Sequence, residues 1–449
     1  MIKARVYSND HVFAAFPLGG IGTGTISLGS RGDLRDFEIF NHPDKGCKLP
    51  FSFFAIRCEA EGKVDARVLE SQINPNFEQG RGYHPNRVVG LPHFKTSRLS
   101  VAYPLAELRF EDPTFPLEVS LSAFTPFVPL NADDSGIPAA LFRYRVKNPT
   151  GKTVHVALAA TMPNISGFNG FDCFDNYKVP QGNFNTLRKD GDISGIFMDG
   201  NGVPASSLNY ANNAILSAAS AAGDVSIKRE WRRTGWLDGI YDFWDDFRDN
   251  GRLHDSEQGQ QESKVAPPGA AVGSLAVHKE IGPGEEADFE FVLSWYVPNR
   301  VKGWPPYAND EAEPRIKNYY AVKFSDAWDA GLYLLKNLKR LESLSREFSR
   351  AVYSSTLPEP VIDAAMSNIT VLRSTTCFRI EDGSFLAWEG SHEHVGSCKG
   401  TCTHVWNYAQ TVAFLFPELE KTARYNEFIR ETGDDGKMNF RTDRIFGRS

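Results

Sequence analysis

The sequence has 449 residues, of which 41% are hydrophobic and 23% are charged. This length exceeds one ordinary core and predicts two or more domains, and the composition excludes a disordered or fibrous chain. A formal net charge of −7 and scattered Lys and Arg residues argue against a nucleic-acid-binding protein.

No stretch of the sequence reaches the roughly 20 apolar residues of a membrane span, and the N-terminal residues lack the apolar core of a signal peptide. Six cysteines are too few for a disulfide framework. We therefore expect a cytoplasmic protein with reduced, mostly buried thiols and no transmembrane segment.

The first two thirds of the chain alternate apolar and polar residues with the period of β-strands. The stretches "PFSFFAIRCEA", "YPLAELRFED" and "PLEVSLSAFTPF" are typical of short strands between turn residues. Apolar side chains occupy alternate positions from Ala287 to Trp295, which predicts a half-buried strand. The runs 141–147 and 153–159 flank an Asn-Pro-Thr-Gly turn and are expected to pair as a hairpin. These patterns predict a large antiparallel β-sandwich as domain 1–310.

One polar interval, residues 244–270, interrupts the strand pattern. It contains few apolar residues and ends in Pro-Pro-Gly. Such a composition predicts a long surface loop or insertion, to which we assign no chemistry.

The last third of the chain has a helical period. Apolar residues recur every three or four positions from Trp328 to Val352, beyond a candidate N-cap at Ser325, which predicts one long amphipathic helix. Prolines indicate a second helix beginning near Pro358, and a third and fourth helix on either side of Pro417. Residues 311–449 are thus expected to begin an all-helical domain.

The glycine-rich stretch "FPLGGIGTGTISLGSRGDLRDFEIFNHP", residues 16–43, lacks the spacing of a phosphate-binding loop or a dinucleotide fingerprint. We interpret its glycines as residues that permit tight β-bends and a close approach of neighbouring backbone. The tripeptide Arg31-Gly32-Asp33 is interpreted as a turn.

A second unusual stretch, "FLAWEGSHEHVGSCKGTCTHVWNYAQ", spans residues 385–410. A metal site would use Cys398 and Cys402 with His394 or His404, but a second Cys pair and the H-x-x-x-H spacing are both missing. A structural interpretation is a loop that enters a helix, with buried cysteines and hydrogen-bonded histidines.

Carboxylate chemistry is the third interpretation of this stretch. Glu389 lies between Trp388, an aromatic platform suited to the apolar face of a sugar, and Gly390, which permits close approach of a ligand. Glycoside hydrolysis requires two carboxyl groups, and the sequence offers one good candidate.

Both unusual stretches resemble one family. Residues 16–43 resemble the opening signature of the N-terminal domain of glycoside hydrolase family 116, a family of β-glucosidases and glucosylceramidases. The stretch "SFLAWEGSHEHVGSCKGTCTHVWNYAQTVAFLFPELEKTAR" is similar to the start of that family's catalytic domain. The resemblance implies an antiparallel β-sandwich followed by an (α/α)6 barrel, and retaining hydrolysis of a β-linked sugar without a metal or organic cofactor. The substrate would be an oligosaccharide, a glycoside or a glycolipid.

The resemblance also assigns roles to individual residues. Glu389 falls on the family's nucleophile, Trp388 would contact the sugar, and His404 would replace an Asp that binds sugar hydroxyls. The family's acid/base Asp lies beyond the last residue of this chain. A complete barrel also needs roughly 200 residues or more, so the chain is expected to be an inactive fragment with an incomplete barrel. A non-catalytic carbohydrate-binding or assembly module, or a Cys/His zinc protein, is the alternative.

Overall fold

The structure is a computed structural model that describes residues 4–73, 87–172, 177–218, 224–232, 239–255, 271–305, 314–402 and 409–446. Its strands, in chain order, are β1 (Arg5–Ser8), β2 (Ala15–Leu18), β3 (Thr25–Gly29), β4 (Leu34–Glu38), β5 (Phe53–Ala60), β6 (Lys63–Ser71), β7 (His93–Phe94), β8 (Thr96–Ala102), β9 (Leu105–Glu111), β10 (Glu118–Phe124), β11 (Ala139–Lys147), β12 (Val154–Pro163), β13 (Asn183–Asp190), β14 (Ile193–Gly200), β15 (Asn212–Ala218), β16 (Asp224–Lys228), β17 (Val272–Ile281), β18 (Glu286–Tyr296), β19 (Asn299–Val301), β20 (Arg315–Lys317), β21 (Cys377–Arg379), β22 (Phe385–Ala387), β23 (Gly390–Ser391) and β24 (Gly396–Ser397).

Most helices follow β20 in the chain. They are α1 (Gly239–Asn250), α2 (Tyr320–Lys323), α3 (Ala327–Lys336), α4 (Leu338–Tyr353), α5 (Glu359–Ile369), α6 (Ala409–Leu415) and α7 (Pro417–Tyr425), with a 3-10 turn at Thr370–Arg373 and a π-helical turn at Asn426–Arg430. Within the described ranges, no helix combines the length and apolar character needed to cross a bilayer.

Two large sheets form the predicted β-sandwich. One has the strand order β1-β8-β9-β10-β11-β18-β15-β14-β13 and the other β16-β17-β12-β5-β6-β7, and their strand pairs are antiparallel except for β6 with β7. Aromatic residues fill the space between the sheets: Phe54 on β5 meets Phe142 on β11 and Phe291 on β18, with ring centroids 5.0 and 5.7 Å apart. Aromatic pairs at this spacing add to the stability supplied by burial.

Helices cover the outer faces of the sandwich. On the nine-stranded sheet, Ser294 Oγ donates to Ala327 O at 2.7 Å, and α3 packs on β15 and β18. On the six-stranded sheet, Phe243 of α1 packs against Phe53. The prediction of a half-buried strand at 287–295 is therefore correct only for its first half, because in the second half the core between the sheets buries one face and α3 covers the other.

The predicted hairpin of 141–147 and 153–159 is wrong. Strand β11 pairs with β10 and β18, whereas β12 pairs with β5 and β17, so the connection passes from one sheet to the other. The side-chain amide of Asn148 donates to Lys152 O at 2.7 Å and to Ile281 O at 2.9 Å. Alternation identifies a strand, but partner choice depends on distant parts of the chain.

The polar interval 244–270 is partly helical, which corrects the prediction of a surface loop. Helix α1 continues through Asn250, and its polar residues lie opposite the buried Phe243 and Phe247. Residues 256–270 lie outside the described part of the chain.

The predicted long helix is divided into α3 and α4 at Asn337. The N-cap of α3 is Asp326, whose carboxylate accepts a hydrogen bond from Asp329 N at 2.8 Å, and not Ser325. Ser325 N instead donates to Asp329 Oδ2 at 3.0 Å, which completes a reciprocal cap. The helices predicted after Pro358 and on both sides of Pro417 are confirmed.

The Arg31-Gly32-Asp33 turn is confirmed, and its two charged side chains are buried. Arg31 Nη2 lies 3.2 Å from Glu70 Oε2, and Lys48 Nζ lies 3.6 Å from Asp33 Oδ2. Burial opposes ionisation of Asp33, but Arg31 and Lys48 lower its pKa to about 2. Burial raises the pKa of Glu70 to about 7 in spite of Arg31. We call these four residues the buried charge cluster.

Candidate active site

Glu389 lies at the junction of two short hairpins. Strand β22 pairs with β21 and ends two residues before Glu389, and Trp388 N donates to Thr376 O at 2.8 Å. Glu389 N donates to Ser397 O at 3.1 Å, next to the β23–β24 pair. The side chain of Glu389 is half-buried. Hydrogen bonds to both hairpins therefore hold the backbone that carries this carboxylate.

Trp388 is a core residue in this structure. It is 6% exposed, and its indole meets Trp304 edge to face with ring centroids 4.9 Å apart. A Cβ atom on Gly396 would overlap the indole, so the hairpin backbone closes over the ring. A sugar contact through Trp388 stays a prediction, and this burial favours a packing role.

The tip of the β23–β24 hairpin contacts the N-terminal part of the chain. Lys45 N donates to Glu393 O at 2.8 Å, and His394 Nδ1 lies 3.1 Å from Asp44 Oδ1. The two contacting residues of the N-terminal part directly follow the glycine-rich signature 16–43. This hairpin therefore joins the two stretches that the sequence singled out.

The described residues give little support to a metal site. Cys398 is exposed and Cys402 is fully buried. No group of three His, Cys, Asp or Glu residues that could hold a metal ion occurs among the described residues. His404 lies outside the described residues, so its predicted contact with the substrate stays a prediction.

The segment after the second hairpin has an unusual backbone. Cys398 and Thr401 have φ values of 51° and 49°, in the left-handed region that costs a non-glycine residue roughly 1 kcal/mol. Thr401 N donates to Ala387 O at 3.0 Å, and Thr442 N donates to Gly400 O at 2.6 Å. The first bond holds the strained segment against β22, the strand that leads to Glu389, and the second joins the segment to the C-terminal part of the chain.

The glycine-rich signature packs on the same strand pair. Gly22 has φ +75°, and a Cβ atom there would lie 2.8 Å from Arg379 N on β21. A Cβ atom on Gly20 would lie 2.5 Å from Ile137 N. Both distances are shorter than real Cβ contacts, so the interpretation of these glycines as sites of close backbone approach is confirmed.

Arg379 is a buried cation beneath this contact. Its guanidinium lies 3.7 Å from the centre of the Tyr319 ring, and its Nη1 lies 3.2 Å from Asp133 Oδ1. Lys323 Nζ lies 2.6 Å from the other oxygen of that carboxylate. Burial opposes ionisation of Asp133, but hydrogen bonds from the two cations lower its pKa below the ordinary value.

A second polar connection starts from Asn41 at the end of the signature. Asn318 Nδ2 donates to Asn41 Oδ1 at 2.7 Å, and Arg300 Nη1 donates to Asn318 Oδ1 at 3.0 Å. The guanidinium of Arg300 lies 3.8 Å from the centre of the Phe378 ring on β21. Burial lowers the pKa of Arg300 to about 10.

Neither Arg379 nor Arg300 was among the residues predicted from the sequence. A signal was available for Arg379, because a single cation inside the apolar run "TCFRI" requires a buried partner. Its partner Asp133 is more than 200 positions away, so the pairing itself could not be read from spacing.

Comparisons with known proteins identify a family to which the sequence is similar. The sequence model described as "beta-glucosidase 2, glycosyl-hydrolase family 116 N-term" matches residues 15–341. Among solved structures, the chain is similar to a family GH92 alpha-mannosidase from Bacteroides thetaiotaomicron, at 10% identity and a TM-score of 0.33 over 84% of this chain and 42% of that one. It is also similar to a polysaccharide lyase, at 9% identity and a TM-score of 0.29 over 64% of this chain and 33% of that one. The chain thus spans less than half the length of either protein.

Proposed function

The chain belongs to glycoside hydrolase family 116, and from this premise we propose that the protein acts on β-linked sugars as part of a retaining β-glycosidase. The family match over residues 15–341 is the observation that carries the proposal. The substrate class is a β-glucoside, either a glycolipid or an oligosaccharide. A cytoplasmic location belongs to the same proposal, supported by the five cysteines of the described residues, which form no disulfide with one another.

In the proposed reaction, the Glu389 carboxylate attacks the anomeric carbon and the bond to the leaving oxygen breaks. An Asp outside this chain protonates that oxygen, at roughly 5 Å from the nucleophile as retaining enzymes require. The same Asp then removes a proton from water, which hydrolyses the glycosyl-enzyme and returns Glu389 as a carboxylate. The half-buried position of Glu389, held by backbone bonds on both sides, supports this role.

The helical part is proposed to open an (α/α)6 barrel that continues beyond the present residues. The division at 310/311 remains a proposal. Packing of α3 on β15 and β18 supports a later boundary, between α4 and α5, because α3 completes the sandwich.

The test compares Glu389→Gln with Glu347→Gln, an exposed acid on α4, in the full-length protein expressed from its gene. With an aryl β-glucoside, kcat should fall by on the order of 10³-fold or more for the first variant and stay near wild type for the second. Equal activity of Glu389→Gln and wild type would refute the assignment.

The stereochemistry of chemical rescue separates the roles further. Azide should restore cleavage of an activated β-glucoside by Glu389→Gly and give the α-glycosyl azide, because it attacks from the face that Glu389 vacates. A β-glycosyl azide would make Glu389 the acid/base instead. A wild-type protein that binds sugars but cleaves no β-glucoside, β-xyloside or N-acetyl-β-glucosaminide would be a carbohydrate-binding module.

A further inference from the structure

We propose that the glycine-rich signature and the two residues that follow it, Asp44 and Lys45, position Glu389, through the Gly22–Arg379 contact on one side and the Lys45–Glu393 backbone bond on the other. This inference rests on the proposed function, because it concerns the placement of that nucleophile. It assigns a role in the reaction to a segment that lies more than 340 positions away in sequence.

The first contact, between Gly22 and Arg379, leaves no room for a side chain at position 22. The turn between β2 and β3 brings Gly22 so close to β21 that a Cβ atom would lie 2.8 Å from Arg379 N and 3.3 Å from Arg379 Cβ. Gly20 is packed as tightly against the loop that carries Asp133, and Ile21 N donates to Ser135 O at 2.7 Å. Because Asp133 also binds the Arg379 guanidinium, the turn, the loop and β21 form one packed unit.

Strand β21 transmits this placement to Glu389. Its three residues pair in register with β22, from Cys377 opposite Ala387 to Arg379 opposite Phe385. The pairing continues through the bond from Trp388 N to Thr376 O. A shift of β21 therefore moves the backbone that immediately precedes the nucleophile.

The second contact acts on the other side of Glu389. Lys45 N donates to Glu393 O, and Asp44 pairs with His394 at the hairpin tip. The His394 side chain is 67% exposed, so its contact with Asp44 contributes little by itself. The backbone bond from Lys45 and the packing at Gly22 are therefore the two effective contacts.

Small displacements of a nucleophile are costly. A misplacement of roughly 1 Å can reduce a rate by on the order of 10²-fold, since the attacking oxygen must lie within about 3 to 3.5 Å of the reacting carbon. A Cβ atom at Gly22 forces a shift of a few tenths of an ångström or more. We therefore expect Gly22→Ala to lower kcat by about 10- to 100-fold.

The structural arm of the test uses hydrogen exchange in the full-length protein. Gly22→Ala should speed exchange of the amides in 376–398 by about 10-fold or more, while those of β11 are unchanged. Gly62→Ala is the matched control, because Gly62 has the same φ of +75° but nothing within 4 Å of its Cβ position. Unchanged exchange in Gly22→Ala, or an equal change in Gly62→Ala, would overturn the proposal.

The functional arm uses Arg379→Lys, which keeps the charge beside Asp133 but loses the planar contact with Tyr319. Labelling of Arg379→Lys with a 2-fluoro β-glucoside should reach the same stoichiometry as in wild type, but about 10-fold or more slowly. The KM of the variant for an aryl β-glucoside should stay within about twofold of the wild-type value. Reduced stoichiometry at an unchanged rate would mean partial unfolding and would overturn positioning. If Gly22→Ala does not fold, this variant decides alone, by the same labelling and by exchange in 376–398.

Failure of the proposed function has a different signature. If the wild-type protein is never labelled, the glycosidase proposal fails, whatever the exchange result. If wild type is labelled and both positioning variants react at the wild-type rate, the positioning proposal fails and the glycosidase stands.

Discussion

Replacing Glu70 by Gln tests the buried charge cluster. Glu70 is 5% exposed and accepts from Arg31 Nη2 at 3.2 Å, and burial raises its pKa from an ordinary 4.5 to about 7. Gln has nearly the same shape and can accept from Arg31 in the same way, but it cannot ionise. The variant therefore removes the titration with little change in packing.

The sign and size of the effect follow from linkage. The folded state holds the Glu70 proton more tightly than the unfolded state, so this group's stabilisation is fully present below pH 4.5 and is lost as pH rises through about 7. Because a tenfold change in proton binding corresponds to about 1.36 kcal/mol, a rise of the pKa from 4.5 to about 7 corresponds to roughly a few kcal/mol. Wild type should lose this stability between pH 4.5 and 8, and Glu70→Gln should not.

Urea unfolding of wild type and Glu70→Gln at several pH values between 5 and 8 measures the effect. The difference in unfolding free energy between the two proteins should change with pH in favour of the variant. Taking this difference cancels other titrating groups such as His93, whose pKa burial lowers to about 4. Glu118→Gln, an exposed acid on β10, serves as control. If the difference in unfolding free energy between the two proteins is constant with pH, the pKa of Glu70 is not raised by folding.

Three further predictions concern packing and accessibility. Trp388→Ala should lower the unfolding free energy by roughly 3 to 5 kcal/mol, measured by urea unfolding, whereas full stability with a raised KM would favour the sugar platform. Ser345→Ala should cost roughly 1 to 3 kcal/mol in the same assay, because the Ser345 hydroxyl accepts from the buried Phe127 N at 3.0 Å; no loss would contradict that contact. A thiol reagent should modify the exposed Cys398 in the folded protein and reach Cys402 only after unfolding, as peptide mass analysis would show; equal rates would contradict the burial.

The sequence predicted strands and helices where hydrophobic period and turn residues agree. The alternation at 287–295 identified β18, and proline placement identified α5 and α7. The same pattern could not show that β11 and β12 belong to different sheets. Nor could it show that α3 covers the second half of β18. The choice of sheet and the packing of α3 both depend on contacts between residues distant in sequence.

At the candidate site, the sequence identified the two segments that matter but not their contact. Residues 16–43 and 385–410 were selected for different reasons, one for its glycines and one for its carboxylate and histidines. The structure connects them through residues that flank them: Gly22 packs on Arg379, whose strand pairs with β22, and Lys45 binds the backbone of Glu393. Trp388 illustrates the limit of residue chemistry, because a Trp beside a carboxylate fits a sugar platform and a packed core equally well until its 6% exposure is known.

Covalent trapping of the glycosyl-enzyme is the most direct test of Glu389 as the nucleophile. The full-length protein is incubated with a 2-fluoro β-glucoside that carries a good leaving group, and peptides are then analysed by mass. The fluorine slows both steps, but the leaving group preserves the first, so the glycosyl-enzyme accumulates. We expect one 2-fluoroglucosyl group on the peptide that contains Glu389, and no label in Glu389→Gln. A label on another carboxylate would contradict the assignment of Glu389 as the nucleophile.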